Sequence, residues 1–192
     1  MSATRTVLVG ALLWLLVAVV LGASGALRGI PPRALVTLVA SLAFVLLVAS
    51  WTVAPLRRFV RQADLRLLAG FHLLRLVGLY FVILGWRGLL PGLFVDAAGY
   101  GNLGVGVLAA LLLVSVSPSS MPGRAWWIGW NVLGLAVAFS VGIVVLVIGR
   151  GVPDPMLRVL PFSLLPSFVA PIAVATHVWM LLRLANGDSA SL

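Results

Sequence analysis

The chain has 192 residues, 62% of them hydrophobic and only 9% charged, where a typical soluble domain carries about 25% charged residues. Its 13 basic residues are all Arg and its four acidic residues all Asp, a formal net charge of +9. With a mean hydropathy of +1.21 this excludes a soluble globular protein, and the lack of Cys excludes disulfides, thiolate metal sites and Cys nucleophiles. In a soluble domain a pI near 11.9 would point to nucleic acid. Here the arginines stand between long apolar runs, so no nucleic-acid partner is expected. Their expected roles are positive-inside topology and contact with lipid headgroups.

A bilayer core takes about 20 apolar residues per helix. Six runs have that character: 6–27, 34–54, 67–86, 93–117, 125–149 and 162–184. They predict an all-α membrane protein, a six-transmembrane-helix bundle forming one domain over 1–192, with both chain ends on the cytoplasmic side. Pro31-Pro32, Pro55, Pro91-Gly92, Pro118, Pro122-Gly123, Pro153 and Pro155 fall between the runs, as helix-breaking punctuation should.

The first run follows Arg5 and ends on Ala23-Ser24-Gly25-Ala26, the outline of a signal peptide with its cleavage site. Its apolar stretch is longer than a usual signal core, so it is read as a retained helix. Gly22-Ala23-Ser24-Gly25 also matches the G-x-S-G of rhomboid-like intramembrane proteases, in which the Ser pairs with a His. By helical rise, Ser24 and His177 lie roughly 15–20 Å apart along the membrane normal, so the match is read as accidental.

After the second run, 55–66 is an amphipathic connection. Leu56, Phe59, Val60, Ala63 and Leu67 share one helical face, and Arg57, Arg58 and Arg61 lie opposite. This predicts a basic interfacial helix against anionic headgroups of the bilayer, or a plain stop-transfer charge cluster. Arg5, Arg57, Arg58, Arg61, Arg66, Arg124 and Arg183 share a side with the chain ends, and Arg28, Arg33, Arg87, Arg150 and Arg158 lie on the other. That bias and the cluster at 55–66 place the ends in the cytoplasm; the all-Arg, Ala/Leu/Val-rich usage suggests a GC-rich bacterium, so the expected location is a bacterial cytoplasmic membrane.

The third run carries His72 and Arg75. His72 lies about 9 Å from the cytoplasmic end and Arg75 about 13 Å in, on the same face. The fourth run opens on Asp96 and on Gly99-Tyr100-Gly101-Asn102-Leu103-Gly104. That segment spells G-x-G-x-x-G without the strand and soluble βαβ unit that a dinucleotide site needs. It is read as close helix packing, with a locally unwound helix lining a polar cavity as the sharper alternative.

Small-residue stripes predict the inward faces. They are Ala11, Ala18, Gly22 and Gly25; Ala98, Asn102, Gly106 and Ala109; Asn131, Gly134, Ala138 and Gly142; and Ser163, Pro166, Ala170, Ala173 and His177. Trp126, Trp127 and Trp130 are expected at the cytoplasmic interface and Trp86 at the opposite one.

Ionisable and amide groups at membrane depth point to function. His72, Arg75, Asn102, Asn131 and His177 are the candidate ligand-binding residues; His72, His177 and Asn131 lie at similar depth. Three readings are open. In the first, a small ligand or ion is bound or transported, with Arg75 as the anion or headgroup site, the histidines relaying protons and the asparagines orienting the ligand. In the second, His72 and His177 are the axial metal ligands of a haem b, with Arg75 on a propionate. In the third, the polar groups only bond across helices, and the protein is a non-catalytic assembly or accessory subunit in a homo-oligomer or beside a partner membrane protein. Catalysis has little support: Asp64, Asp96, Asp154 and Asp188 are dispersed, and no His-x-x-His or His-x-x-x-His spacing occurs.

Several segments together resemble an uncharacterised family of bacterial membrane proteins. They are Arg75-Leu76-Val77-Gly78, Phe81, Gly88-Leu89-Leu90-Pro91, Phe94, Ala98-Gly99-Tyr100-Gly101-Asn102, Gly106, Trp130-Asn131-Val132-Leu133-Gly134, Leu165-Pro166-Ser167-Phe168-Val169-Ala170-Pro171 and His177. The resemblance covers the third to sixth helices and implies a six-helix bundle with Arg75, Asn131 and His177 at motif positions. It brings no activity. The family pattern carries Asp where this chain has Asn102 and an acid near Val137, so the resemblance implies a weakened proton-carrying role here.

Overall fold

The computed structural model describes residues 2–148 and 158–187, all helix, turn or loop with no strand among them. Gly149, Arg150, Pro153, Asp154, Pro155 and Asp188, used above for boundaries, punctuation or topology, lie outside the described residues. The helices are α1 (Ala3–Ala23), α2 (Pro32–Thr52), α3 (Ala54–Gln62), α4 (Leu65–Trp86), α5 (Gly92–Ser115), α6 (Met121–Ile148) and α7 (Leu165–Ala185). All but the nine-residue α3 are long and apolar enough to cross a membrane by length and composition.

Their ends follow local chemistry. Pro32 occupies the first turn of α2, where its missing N–H is no loss. The Asp64 side chain accepts from the Arg66 N–H and caps α4. Gly88, just past α4, has φ +69°, a conformation that a Cβ disfavours.

The chain forms two compact units, Met1–Gln62 with Val145–Ala175 and Ala63–Val144 with Thr176–Leu192. In the first, α3 packs on α1 and α2. Trp14 Nε1 donates to Ser167 O at 2.9 Å, and its ring meets Phe168 edge-on at 5.2 Å. Gly22 is buried, and a Cβ there would collide with Ser163 Oγ. Ser24 Oγ donates to Leu21 O at 3.1 Å, a helix-end bond.

In the second unit α4 and α5 pack along each other, and glycine sets how closely. A Cβ on Gly78 would stand 2.5 Å from Gly99 O and 2.6 Å from Leu103 N. A Cβ on Gly106 would stand 3.0 Å from Leu76 N. Ala98, Gly106 and Ala109 of the α5 stripe are buried, as close packing requires.

Two of the tryptophans expected at the cytoplasmic interface are enclosed by protein rather than turned outward. Trp127 is 0% and Trp130 4% exposed, while Trp126 is 68% exposed. Each buried indole reaches a carbonyl: Trp127 Nε1 donates to Val116 O at 3.2 Å and Trp130 Nε1 to Val105 O at 3.0 Å. A buried Trp needs such a partner, and these backbone carbonyls supply it. Trp86, 73% exposed, donates to Tyr100 Oη at 3.0 Å.

Three arginines first read as topology signals also satisfy carbonyls in this unit. Arg66 Nη2 donates to Leu113 O at 2.8 Å and Arg124 Nη2 to Ala185 O at 3.2 Å. Both carbonyls stand in last turns, where no intrahelical N–H remains and a cation meets the negative end of the helix dipole. Arg183 Nη1 donates to Ala63 O.

Candidate functional site

All five sequence-derived candidates fall in the second unit and in one hydrogen-bonded and stacked cluster. The backbone winding of α4 brings the first two together. Residues Phe71–Val77 form a 3₁₀ segment between α-helical turns. In that winding, residues three apart eclipse, so His72 and Arg75 project along one line. They are 0% and 6% exposed.

Opposite, Val95–Gly101 of α5 winds as a π-helix, directly before Asn102. The Gly-Tyr-Gly-Asn segment is therefore neither a phosphate loop nor unwound chain. It is a widened helix that delivers Asn102 to Arg75. Such widened turns recur at functional sites.

Both asparagines are oriented in the same way. Asn102 Nδ2 donates to Ala98 O at 3.0 Å, and Asn131 Nδ2 to Trp127 O at 2.8 Å. Each amide thus anchors one N–H on the preceding helical turn and presents its oxygen. Asn102 Oδ1 accepts from Arg75 Nη1 at 3.3 Å, and Asn131 Oδ1 accepts from His177 Nδ1 at 2.8 Å. Since Oδ1 can only accept, His177 carries its proton on Nδ1, and in the neutral ring Nε2 holds a lone pair. That Nε2 has no hydrogen-bond partner. It lies over Gly134, where a Cβ would overlap it.

The histidines stack, with ring centroids 3.9 Å apart at 36°, and Trp130 meets both rings edge-on at 5.1 and 5.0 Å. His72 Nε2 and Thr176 Oγ1 share a hydrogen bond at 3.0 Å, while His72 Nδ1 has no partner. A bis-imidazole haem needs the two rings on opposite faces of a macrocycle. Here they stand at van der Waals contact distance, too close for a macrocycle between them. The pair as arranged does not fit that cofactor. Among the described residues there is also no group of three His, Cys, Asp or Glu that could hold a metal ion.

Arg75 completes the cluster. Its Nη1 donates to Asn102 Oδ1 and to Gly134 O, each at 3.3 Å, and its buried Nε has no partner among the described residues. Both acceptors are neutral. Asp96, the carboxylate of the neighbouring helix α5, is exposed and not among its partners. The guanidinium is thus held in place without a counter-ion among the described residues.

Thr176, Trp130 and Gly134 were not among the candidates. Trp130 and Gly134 had been read only as an interface anchor and a packing residue, and Thr176 carries no sequence signal beyond lying next to His177.

The chain belongs to a family described as a domain of unknown function, DUF8737, whose profile matches residues 32–185. The expected membership of an uncharacterised family is borne out. No curated protein matches the chain, and no solved structure matches it.

Proposed function

We propose that this member of the family is a multi-pass protein of a bacterial cytoplasmic membrane, with its chain ends in the cytoplasm. In this reading its second unit binds a small carboxylate-like anion within the membrane, as a binder or carrier of such ions. What supports the reading is Arg75. An Arg at membrane depth costs at least about 2.5 kcal/mol without partners. Here it is 6% exposed, its Nη1 meets only neutral oxygens and its Nε meets none.

The edge that carries Nε is one on which a guanidinium grips a carboxylate with two parallel N–H bonds. A bound anion would neutralise the charge and occupy the unused donor together. The fixed amide oxygen of Asn102 keeps the other side of the guanidinium in place, so that edge is preorganised.

The test is thermal unfolding of detergent-purified protein in sodium acetate, with gluconate, too bulky for a buried site, holding the ionic strength. The expected result is a Tm that rises with acetate in the wild type and not in Arg75→Gln. A wild-type Tm indifferent to acetate, or an equal rise in Arg75→Gln, removes the reading. Uptake of labelled acetate into proteoliposomes above protein-free vesicles then separates a carrier from a binder.

A further inference from the structure

The first unit carries a second cationic feature, unrelated to Arg75. Helix α3 turns its arginines outward: Arg57, Arg58 and Arg61 are exposed, and Leu56, Phe59 and Val60 are half-buried. Its apolar face is already occupied, because α3 packs on α1 and α2. What it offers outward is charge.

Among the described residues that charge has no acidic partner in its own stretch of chain. The chain before Asp64 holds Arg5, Arg28, Arg33, Arg57, Arg58 and Arg61 and no Asp or Glu. The first acidic residue, Asp64, uses its carboxylate to cap α4 through the Arg66 N–H. Arg57 donates to Trp51 O at 3.1 Å, at the end of α2. Arg58 and Arg61 stand one helical turn apart with no such bond. Beside them Trp51 is 62% and Val53 47% exposed, an aromatic and an apolar group at the end of a candidate span, where an interfacial anchor is expected.

We propose that α3 is a docking surface for anionic phospholipid headgroups, with Arg58 and Arg61 gripping phosphate and Trp51 set at headgroup level. Charge complementarity selects the occupant: every charged residue of α3 is an Arg, and the helix lies directly after an apolar helix of spanning length. The inference rests on membrane insertion but not on the Arg75 site.

The experiment reads tryptophan quenching by brominated lipid in the full-length protein, in mixed micelles at low salt. Brominated phosphatidylglycerol and brominated phosphatidylcholine of the same chain length are compared. The wild type should prefer the anionic lipid, and the preference should fade as salt screens exposed charge over a Debye length of about 10 Å at 0.1 M. Each arginine near an anionic surface contributes about fivefold to binding. The Arg58→Gln/Arg61→Gln variant should therefore lose about 25- to 30-fold of that preference. It leaves the Arg57 bond to α2 in place, and unchanged helical circular dichroism shows that it folds.

Arg58→Lys/Arg61→Lys should keep most of the preference, and Arg75→Gln should keep all of it. Equal quenching by the two lipids in the wild type, or an undiminished preference in the glutamine variant, overturns the proposal. So does loss of a dimer on gel filtration in the glutamine variant without a change in quenching, since the arginines would then face a second chain.

Discussion

Gly134 and His177 occupy one another's space: the imidazole Nε2 and Cε1 sit where a Cβ on Gly134 would be. The same glycine offers its carbonyl to Arg75, so one residue positions both an imidazole and a guanidinium. Gly134→Ala must push the ring out of a packed cluster and should destabilise the protein by about 1–3 kcal/mol. Unfolding by titration with a denaturing detergent measures this. In a His177→Ala background the same glycine change should cost much less. Fully additive effects would mean that the ring does not depend on the missing side chain.

Asn131 holds His177 through Nδ1, with its own amide fixed by Trp127 O. Asn131→Ala strands a buried N–H and should cost about 1–3 kcal/mol. A double-mutant cycle with His177→Phe should give a coupling of about 0.6 kcal/mol, and not above about 1.7, the range of hydrogen bonds between membrane helices. A coupling of zero would remove this bond from the account.

Asn102 presents a neutral oxygen to Arg75. Asn102→Asp would supply the missing counter-ion at the same atom. The expected outcome is a Tm that no longer responds to acetate, because the guanidinium is neutralised from within. An undiminished acetate response in this variant would place the anion elsewhere in the protein.

Trp126 and Trp127 are neighbours with opposite surroundings. Trp126→Phe should change stability by no more than about 0.5 kcal/mol, as surface substitutions usually do. Trp127→Phe and Trp130→Phe each remove an indole bond to a backbone carbonyl and should cost about 1 kcal/mol or more. Equal effects at the three positions would restore the interfacial belt.

The absence of Cys gives single introduced thiols a clean background. Gln62 and Gly29 are exposed, one closing α3 and the other following α1. In intact cells a membrane-impermeant maleimide should label Gly29→Cys from outside, and Gln62→Cys only after the cells are opened. The reverse pattern would invert the proposed orientation.

Much of the architecture was legible in the sequence because the physical signal there is length. A stretch of about 20 apolar residues has few stable alternatives to a helix, and the six runs reappear as helices within a few residues of their expected ends. The amphipathic pattern of 55–66 reappears in part: α3 ends at Gln62 with Arg57, Arg58 and Arg61 outward, and Leu65 and Arg66 already belong to α4. The tryptophans were misread because an interface anchor and a buried indole share one residue type. Which one forms depends on whether a neighbouring helix offers a carbonyl, and no local pattern carries that.

The five polar candidates were legible for a related reason. In so apolar a chain each buried polar group stands out, and the charge deficit noted at the outset is what exposes them. What the sequence by itself determined is thus the number and length of the apolar helices and the identity of the polar residues within them. The tertiary structure decided their relations. It wound α4 tightly so that His72 and Arg75 align, and widened α5 so that Asn102 meets Arg75. It stacked the two imidazoles at contact, which removes the fit to haem, and it left the guanidinium facing only neutral oxygens. Those outcomes depend on helix winding and on glycines that admit a neighbouring backbone or ring, both of which are set by packing between segments distant in the chain.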